Sequence, residues 1–245
     1  MNVKPIREGN KNNVAVFPVK IASIDAGSNA IRFVAAEFDS PRSYSILATQ
    51  RYPVRLGKSV FFSGRLEAGA MSDAIAGLKE IAARMNQLAV SRYRAVATSA
   101  VRESANAGVF LKRVRKETGI DLHTINGSEE ARCVYRAIRE KCPLSHQQYV
   151  LADLGGGSLE ISLCDDSGIL WSESHGMGAV RLMETLTDAD ENTERYSRVL
   201  AEYTATLQVP RLEYKREIAG LIATGGNIDR KSVVVGKECR SRWSP

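Results

Sequence analysis

The chain has 245 residues, 44% hydrophobic and 25% charged, the balance of a folded polypeptide with room for one large domain or two smaller ones. No apolar run nears the roughly 18 residues of a membrane span, the start MNVKPIREGNKNN lacks the apolar core of a secretory signal, and Cys133, Cys142, Cys164 and Cys239 form no CxxC pair or metal-ligand spacing. These features argue against a membrane protein, an exported disulfide scaffold or a cysteine-held metal and predict a cytoplasmic chain with reduced thiols, while the net charge of +6 falls to +3 once residues 229–245 are set aside, a mild excess that gives little footing for nucleic-acid binding.

In chain order, residues 20–38, KIASIDAGSNAIRFVAAEF, read as two strands joined by a tight DAGSN turn, and SYSILATQRYPVRL supplies a third β-rich segment. A helix follows, because Met71, Ile75, Leu78, Ile81, Met85 and Leu88 recur at three and four residues and form one apolar stripe. YRAVATSAVR is then a short buried strand, SANAGVFLKRVRKETG a helix closed by Gly119, DLHTIN a strand, and GSEEARCVYRAIREKC another helix. The order βββαβαβα predicts a layered α/β domain.

From Gln148 the opening returns. YVLADLGGGSLEISLCDDSGILWSESH gives a strand, a glycine turn, a second strand, a DDSG turn and a third strand, with Asp153 matching Asp25 and Gly155 matching Gly27. Helices at about Met177–Leu186 and Glu194–Leu207 precede a strand, IAGLIATGG. Two Asp-x-Gly hairpins predict a duplicated domain: residues 1–143 form the first, 144–228 part of a second, and the boundary falls near CPLSH, where proline interrupts a helical pattern. Residues 229–245, DRKSVVVGKECRSRWSP, carry five basic and two acidic residues and read like a sequencing adapter translated as codons, so they are expected to be a non-native tail; without them the net charge is +3.

Glycine and hydroxyl residues in a hairpin turn gather backbone N–H groups into a concavity that suits anionic oxygens. Gly155, Gly156, Gly157 and Ser158 therefore read as a phosphate cradle, as do Gly27, Ser28 and Asn29, with Gly225 and Gly226 of ATGGN as a third glycine turn. Asp25 and Asp153 end the first strand of each copy; either can supply carboxylate oxygen to a hard cation, hold the cation's bound water, which makes Asp153 a candidate catalytic residue, or simply cap its own turn. Arg102 follows a buried strand, an awkward place for an arginine that meets no anion. LGKSV is not a Walker A loop, since Tyr52 stands where the pattern needs glycine.

IDAGSNAIRFVAAE, ATSAVRESANAGVFLKRVRKETGIDLHTINGSEEARCVY, LADLGGGSLEIS, GMGAVRLME and IATGGN, in that order over residues 21–227, resemble the motifs of the exopolyphosphatase / guanosine pentaphosphate phosphohydrolase family of the actin-like ATPase superfamily. The resemblance implies two ribonuclease-H-like α/β domains with a cleft between them and hydrolysis of a terminal phosphoanhydride of polyphosphate or guanosine pentaphosphate with a divalent metal, usually Mg2+. It places the catalytic base at Glu130 and the phosphate-binding arginine at Arg102, and it makes Glu160 a metal or water orienter beside Asp153 and Asp25; Glu129 reads as a helix-dipole residue only. Ala30 stands where members carry serine, and members continue beyond the third glycine turn, so the second domain is expected to be incomplete. A homodimer is compatible with this reading, and an actin-like nucleotide-binding sensor or assembly protein without polyphosphatase activity is its rival.

Overall fold

Alternating burial builds the first sheet. Ala22, Ile24 and Ala26 on β2 (Val19–Ala26), Ile31, Phe33 and Ala35 on β3 (Ile31–Ser40), and Tyr93, Ala95 and Ala97 on β5 (Arg92–Ala97) are buried, the period-two pattern of strands with one face in a core. The computed structural model describes residues 3–6, 16–144, 146–187, 193–207, 217–226 and 234–235. Its residues divide into two units, Met1–Ile125 and Asn126–Pro245.

In the first unit β2, β3 and β4 (Ser43–Tyr52) form an antiparallel meander, and β5 returns parallel to β2. Two-residue strands β1 (Lys4–Pro5) and β6 (His123–Thr124) both run parallel to β5. The expected apolar stripe is helix α2 (Ala68–Gln87), which buries Met71, Ile75, Leu78, Ile81 and Met85 in a core shared with Phe33, Tyr93 and Phe110. A short turn of helix, α1 (Val60–Ser63), precedes it, and α4 (Ala107–Thr118) ends at Gly119 with φ 72°, a left-handed angle that favours glycine. The strand expected over residues 93–102 stops at Ala97; Ser99–Arg102 is instead a single helical turn, α3.

The second unit repeats the plan. Strands β7 (Gln148–Leu154), β8 (Leu159–Cys164) and β9 (Ile169–His175) form the meander, and β10 (Ile218–Thr224) runs parallel to β7. Helix α5 (Gly127–Lys141) packs on this sheet, its Tyr135 and Ile138 sharing a core with Leu151, Cys164 and Ile222. The division thus falls at Ile125, ahead of the expected 143, because α5 buries its apolar face on the second sheet. Helices α6 (Ala179–Thr187) and α7 (Thr193–Ala205) match the expected helical stretches within a few residues. The reading of residues 229–245 as a non-native tail lies outside the described residues, except that Val234–Val235, strand β11, pairs antiparallel with β10. No helix among the described residues is long and apolar enough to cross a membrane.

Cys164 tests the second core. It is buried on β8, and desolvation, with the nearby Asp165 carboxylate, pushes its thiol up to about 12, whereas Cys133 is exposed on α5. Because the thiolate is the nucleophile, iodoacetamide at mildly alkaline pH, read by peptide mass, is expected to modify Cys133 and to spare Cys164 until denaturant is added. Modification of Cys164 at the rate of Cys133 would show that the core around β8 is open.

Candidate active site

Helix α5 brings the first carboxylate. Asn126 and Glu129 form a capping box: Asn126 Oδ1 accepts from the Glu129 N–H at 2.9 Å, and Glu129 Oε2 accepts from the Asn126 N–H at 3.0 Å, satisfying two helix-end donors reciprocally. Glu129 is thereby a structural residue, as its place in the sequence suggests. Glu130, the next residue, joins Asp153 at the end of β7 and Glu160 on β8, where one oxygen of each carboxylate lies within 4.8 Å of the others. Glu160 is 2% exposed and accepts a hydrogen bond from Ser174 Oγ at 2.9 Å. Thr224 Oγ1 donates to Asp153 Oδ1 at 2.7 Å.

Two glycines permit this convergence. A Cβ on Gly127 would come within 2.6 Å of Ser174 Oγ and 3.7 Å of Glu160 Oε1, so only glycine lets the start of α5 approach β9 this closely. Gly225 has φ 132° and its backbone lies against that of Leu154, which brings the third glycine turn up beside Asp153; Gly226 follows it, exposed.

The loop Gly155–Ser158 owes its shape to helix α6. The N–H groups of Ala179 and Val180 donate to Gly155 O at 3.0 Å and Gly156 O at 2.8 Å, and Arg181 adds its N–H to Gly156 O at 3.1 Å and its Nε to Gly157 O at 3.0 Å. In a trans peptide the carbonyl and the following N–H point in opposite directions. Anchoring these three carbonyls on α6 therefore turns the amides of Gly156, Gly157 and Ser158 away from the helix, the arrangement of an anion nest. Gly155 differs: its own N–H closes the turn on Ser158 O at 2.9 Å.

The first unit carries the matching turn, with Gly27 N–H on Ala30 O at 3.1 Å. Ser28 is buried; its carbonyl accepts from the Gly57 N–H at 2.7 Å, and its hydroxyl shares a 3.0 Å hydrogen bond with Ser99 at the start of α3. Asn29 sits at the tip of the turn. Arg102 ends α3, donating from Nη1 to Ile125 O at 2.8 Å, with Nη2 3.8 Å from Glu103 Oε1. Asp25 belongs to no group of three metal-ligating side chains among the described residues; it stands opposite Arg32 in the β2–β3 ladder, 3.6 Å from its guanidinium. That arginine supplies the positive charge a cation would otherwise provide, so the expectation of Asp25 as a metal ligand gains nothing from the fold.

Four residues that hold these groups went unassigned in the sequence: Gly127, Ser174, Arg181 and Thr224. Three stand in or beside quoted motifs, NGSEEAR, GMGAVRLME and IATGGN, but their partners lie on other strands and loops. Ser174, on the third strand of the meander, carries no local signal at all.

A model of the Ppx/GppA phosphatase family matches residues 34–235. The chain is 28% identical over 185 residues to exopolyphosphatase 1 of Mycobacterium bovis, covering 76% of this chain and 54% of the relative, so it spans about half of that relative's length. It superimposes on an exopolyphosphatase from Cytophaga hutchinsonii with a TM-score of 0.76 at 28% identity, over 83% of this chain and 66% of the other. Against the Aquifex aeolicus Ppx/GppA family member the TM-score is 0.63 at 31% identity, over 76% and 60% of the two chains. With two α/β sheets of the actin-like ATPase kind and a family match over most of its length, the chain belongs to the Ppx/GppA phosphatase family.

Proposed function

We propose that this chain carries the catalytic groups of a phosphohydrolase that releases terminal phosphate from inorganic polyphosphate or guanosine pentaphosphate. The observation that carries the reading is the meeting of Glu130, Asp153 and Glu160 within 4.8 Å in the unit whose glycine loop turns three successive amides to one side. Relatives named as exopolyphosphatases favour polyphosphate as the substrate class.

Three carboxylates offering only oxygen fit a hard divalent cation such as Mg2+, and the side-chain-free edge of Gly127 leaves room beside Glu160. Asp153 and Glu160 would hold that ion, which when bound neutralises charge on the phosphoryl oxygens. Glu130 takes the proton of the attacking water. The water oxygen bonds to the terminal phosphorus as the bridging P–O bond breaks, and the electron pair leaves with the shortened chain. The amides of Gly156, Gly157 and Ser158 hold phosphate oxygens without a side chain in the way. Within the second unit the turn at Gly225 and Gly226 is assigned to a further phosphate and Gly155 to shaping the loop; within the first unit Ser28, Asn29 and Arg102 are assigned to binding phosphate and Gly27 to shaping their turn.

Phosphate release with Mg2+ from polyphosphate, guanosine pentaphosphate and ATP tests the reading. Release from polyphosphate is expected; nucleotide binding without release from any of the three would favour the nucleotide-sensor reading instead. Glu130→Gln is expected to lower kcat by ~10² to 10⁴, the usual loss on removing a general base, with KM little changed; turnover near that of the unaltered chain would remove Glu130 from the mechanism. Arg102→Lys keeps the charge but loses the planar fork, so KM is expected to rise or kcat to fall. Unchanged values of both would make Arg102 a structural residue, tied to Ile125 and Glu103.

A further inference from the structure

The ladders of the second sheet align four polar residues in a single row. The β10–β7 register sets Thr224 beside Asp153, the β7–β8 register sets Asp153 opposite Glu160, and the β8–β9 register sets Glu160 opposite Ser174. Cross-strand partners share a face of the sheet, so the row reads hydroxyl, carboxylate, carboxylate, hydroxyl. Like charges directly opposite in a ladder destabilise it, and here one of the two carboxylates is almost wholly buried.

The corresponding row of the first sheet solves the same problem differently. There Asp25 lies beside Val96 and opposite Arg32, which in turn faces Arg51. Arg32 answers the aspartate with its own positive charge at 3.6 Å, and no hydroxyl flanks the pair. In the second sheet neither flanking residue brings charge. Each donates its one hydroxyl proton to one carboxylate oxygen, Thr224 to Asp153 Oδ1 at 2.7 Å and Ser174 to Glu160 Oε1 at 2.9 Å. A hydroxyl donor fixes the rotation of a carboxylate without neutralising it, which is what an outer partner does for a metal ligand. A lysine or arginine at either end would occupy the place of the ion.

We propose that Thr224 and Ser174 are positioning residues: they clamp Asp153 and Glu160 from the two ends of the row so that the remaining carboxylate oxygens converge on one divalent cation. This rests on the cation site of the proposed phosphohydrolase, yet it concerns binding of the ion and is measured without turnover. Gly127 belongs to the same device, since a side chain there would displace the Ser174 hydroxyl.

Mn2+ is the probe, titrated into the full 245-residue chain and followed by the electron paramagnetic resonance of the free ion. The unaltered chain is expected to bind one Mn2+ that Asp153→Asn abolishes. Thr224→Val, which keeps shape and strand preference but removes the donor, and Ser174→Ala are each expected to weaken binding about 10- to 100-fold, the usual cost of losing an outer partner of a metal ligand. Thr224→Ser, which restores the hydroxyl, is expected to recover the affinity; a role in packing alone would leave Thr224→Val the better binder of the two. Equal Mn2+ affinity in the unaltered chain, Thr224→Val and Ser174→Ala, or no Mn2+ binding by the unaltered chain, would overturn the proposal. Phosphate release assayed on the same samples separates the two claims: hydroxyl-dependent Mn2+ binding with no release from any substrate would sink the phosphohydrolase reading and leave the positioning role standing.

Discussion

Two carboxyl side chains set side by side across a β-ladder are the constraint on which the second unit is built. Asp153 and Glu160 face each other between β7 and β8, and Glu130 is brought to them from the first turn of α5. Concentrating three carboxylates costs stability wherever they are ionised without a partner, so the surrounding fold must hold them against their repulsion. Thr224 and Ser174 hold two of them with donors that carry no charge, a capping box fixes the helix bearing Glu130, and a glycine admits that helix to the sheet. A natural protein accepts such local conflict mainly where function requires it.

The glycine loop follows a related logic. A nest of amides needs its carbonyls satisfied on the other side, and the first N–H groups of α6 together with Arg181 do this. The helix end thus gains acceptors for donors that have no partner within the helix, and the loop gains a fixed orientation. Loop orientation and helix capping become one structural element. The first unit has the same turn, but there the loop is held by Gly57 and by the buried Ser28–Ser99 hydroxyl pair, so two copies of one hairpin are secured by unrelated neighbours.

Much of this was legible along the chain. The stripe from Met71 to Met85 required α2, the paired Asp-x-Gly turns required a duplicated meander, and the order of the motifs pointed to the family now shown by its match over residues 34–235. Glu130, Asp153 and Glu160 were each singled out, and the fold places them together. What escaped depended on contacts between distant segments. Nothing local reveals that α5 packs on the second sheet, which moves the division between units to Ile125. Nor does a sequence state its strand register, since a slip of one residue reverses every side chain; Thr224 and Ser174 become meaningful only once they are seen opposite Asp153 and Glu160. The pairing of Asp25 with Arg32 was hidden for the same reason, because Arg32 lies within a stretch that reads as an ordinary amphipathic strand. The turn of α3 was hidden by Ala97–Ala100, whose small residues suit a strand end and a helix start alike.

On the proposed reading the row in the second sheet, and not its counterpart in the first, holds the cation. Anomalous scattering from crystals of the chain soaked in Mn2+ addresses it directly. One strong peak is expected, bounded by Asp153, Glu160 and Glu130, with Thr224 and Ser174 outside the coordination sphere and still bonded to their carboxylates. A peak at Asp25, direct ligation by either hydroxyl, or no peak at the three carboxylates would contradict it.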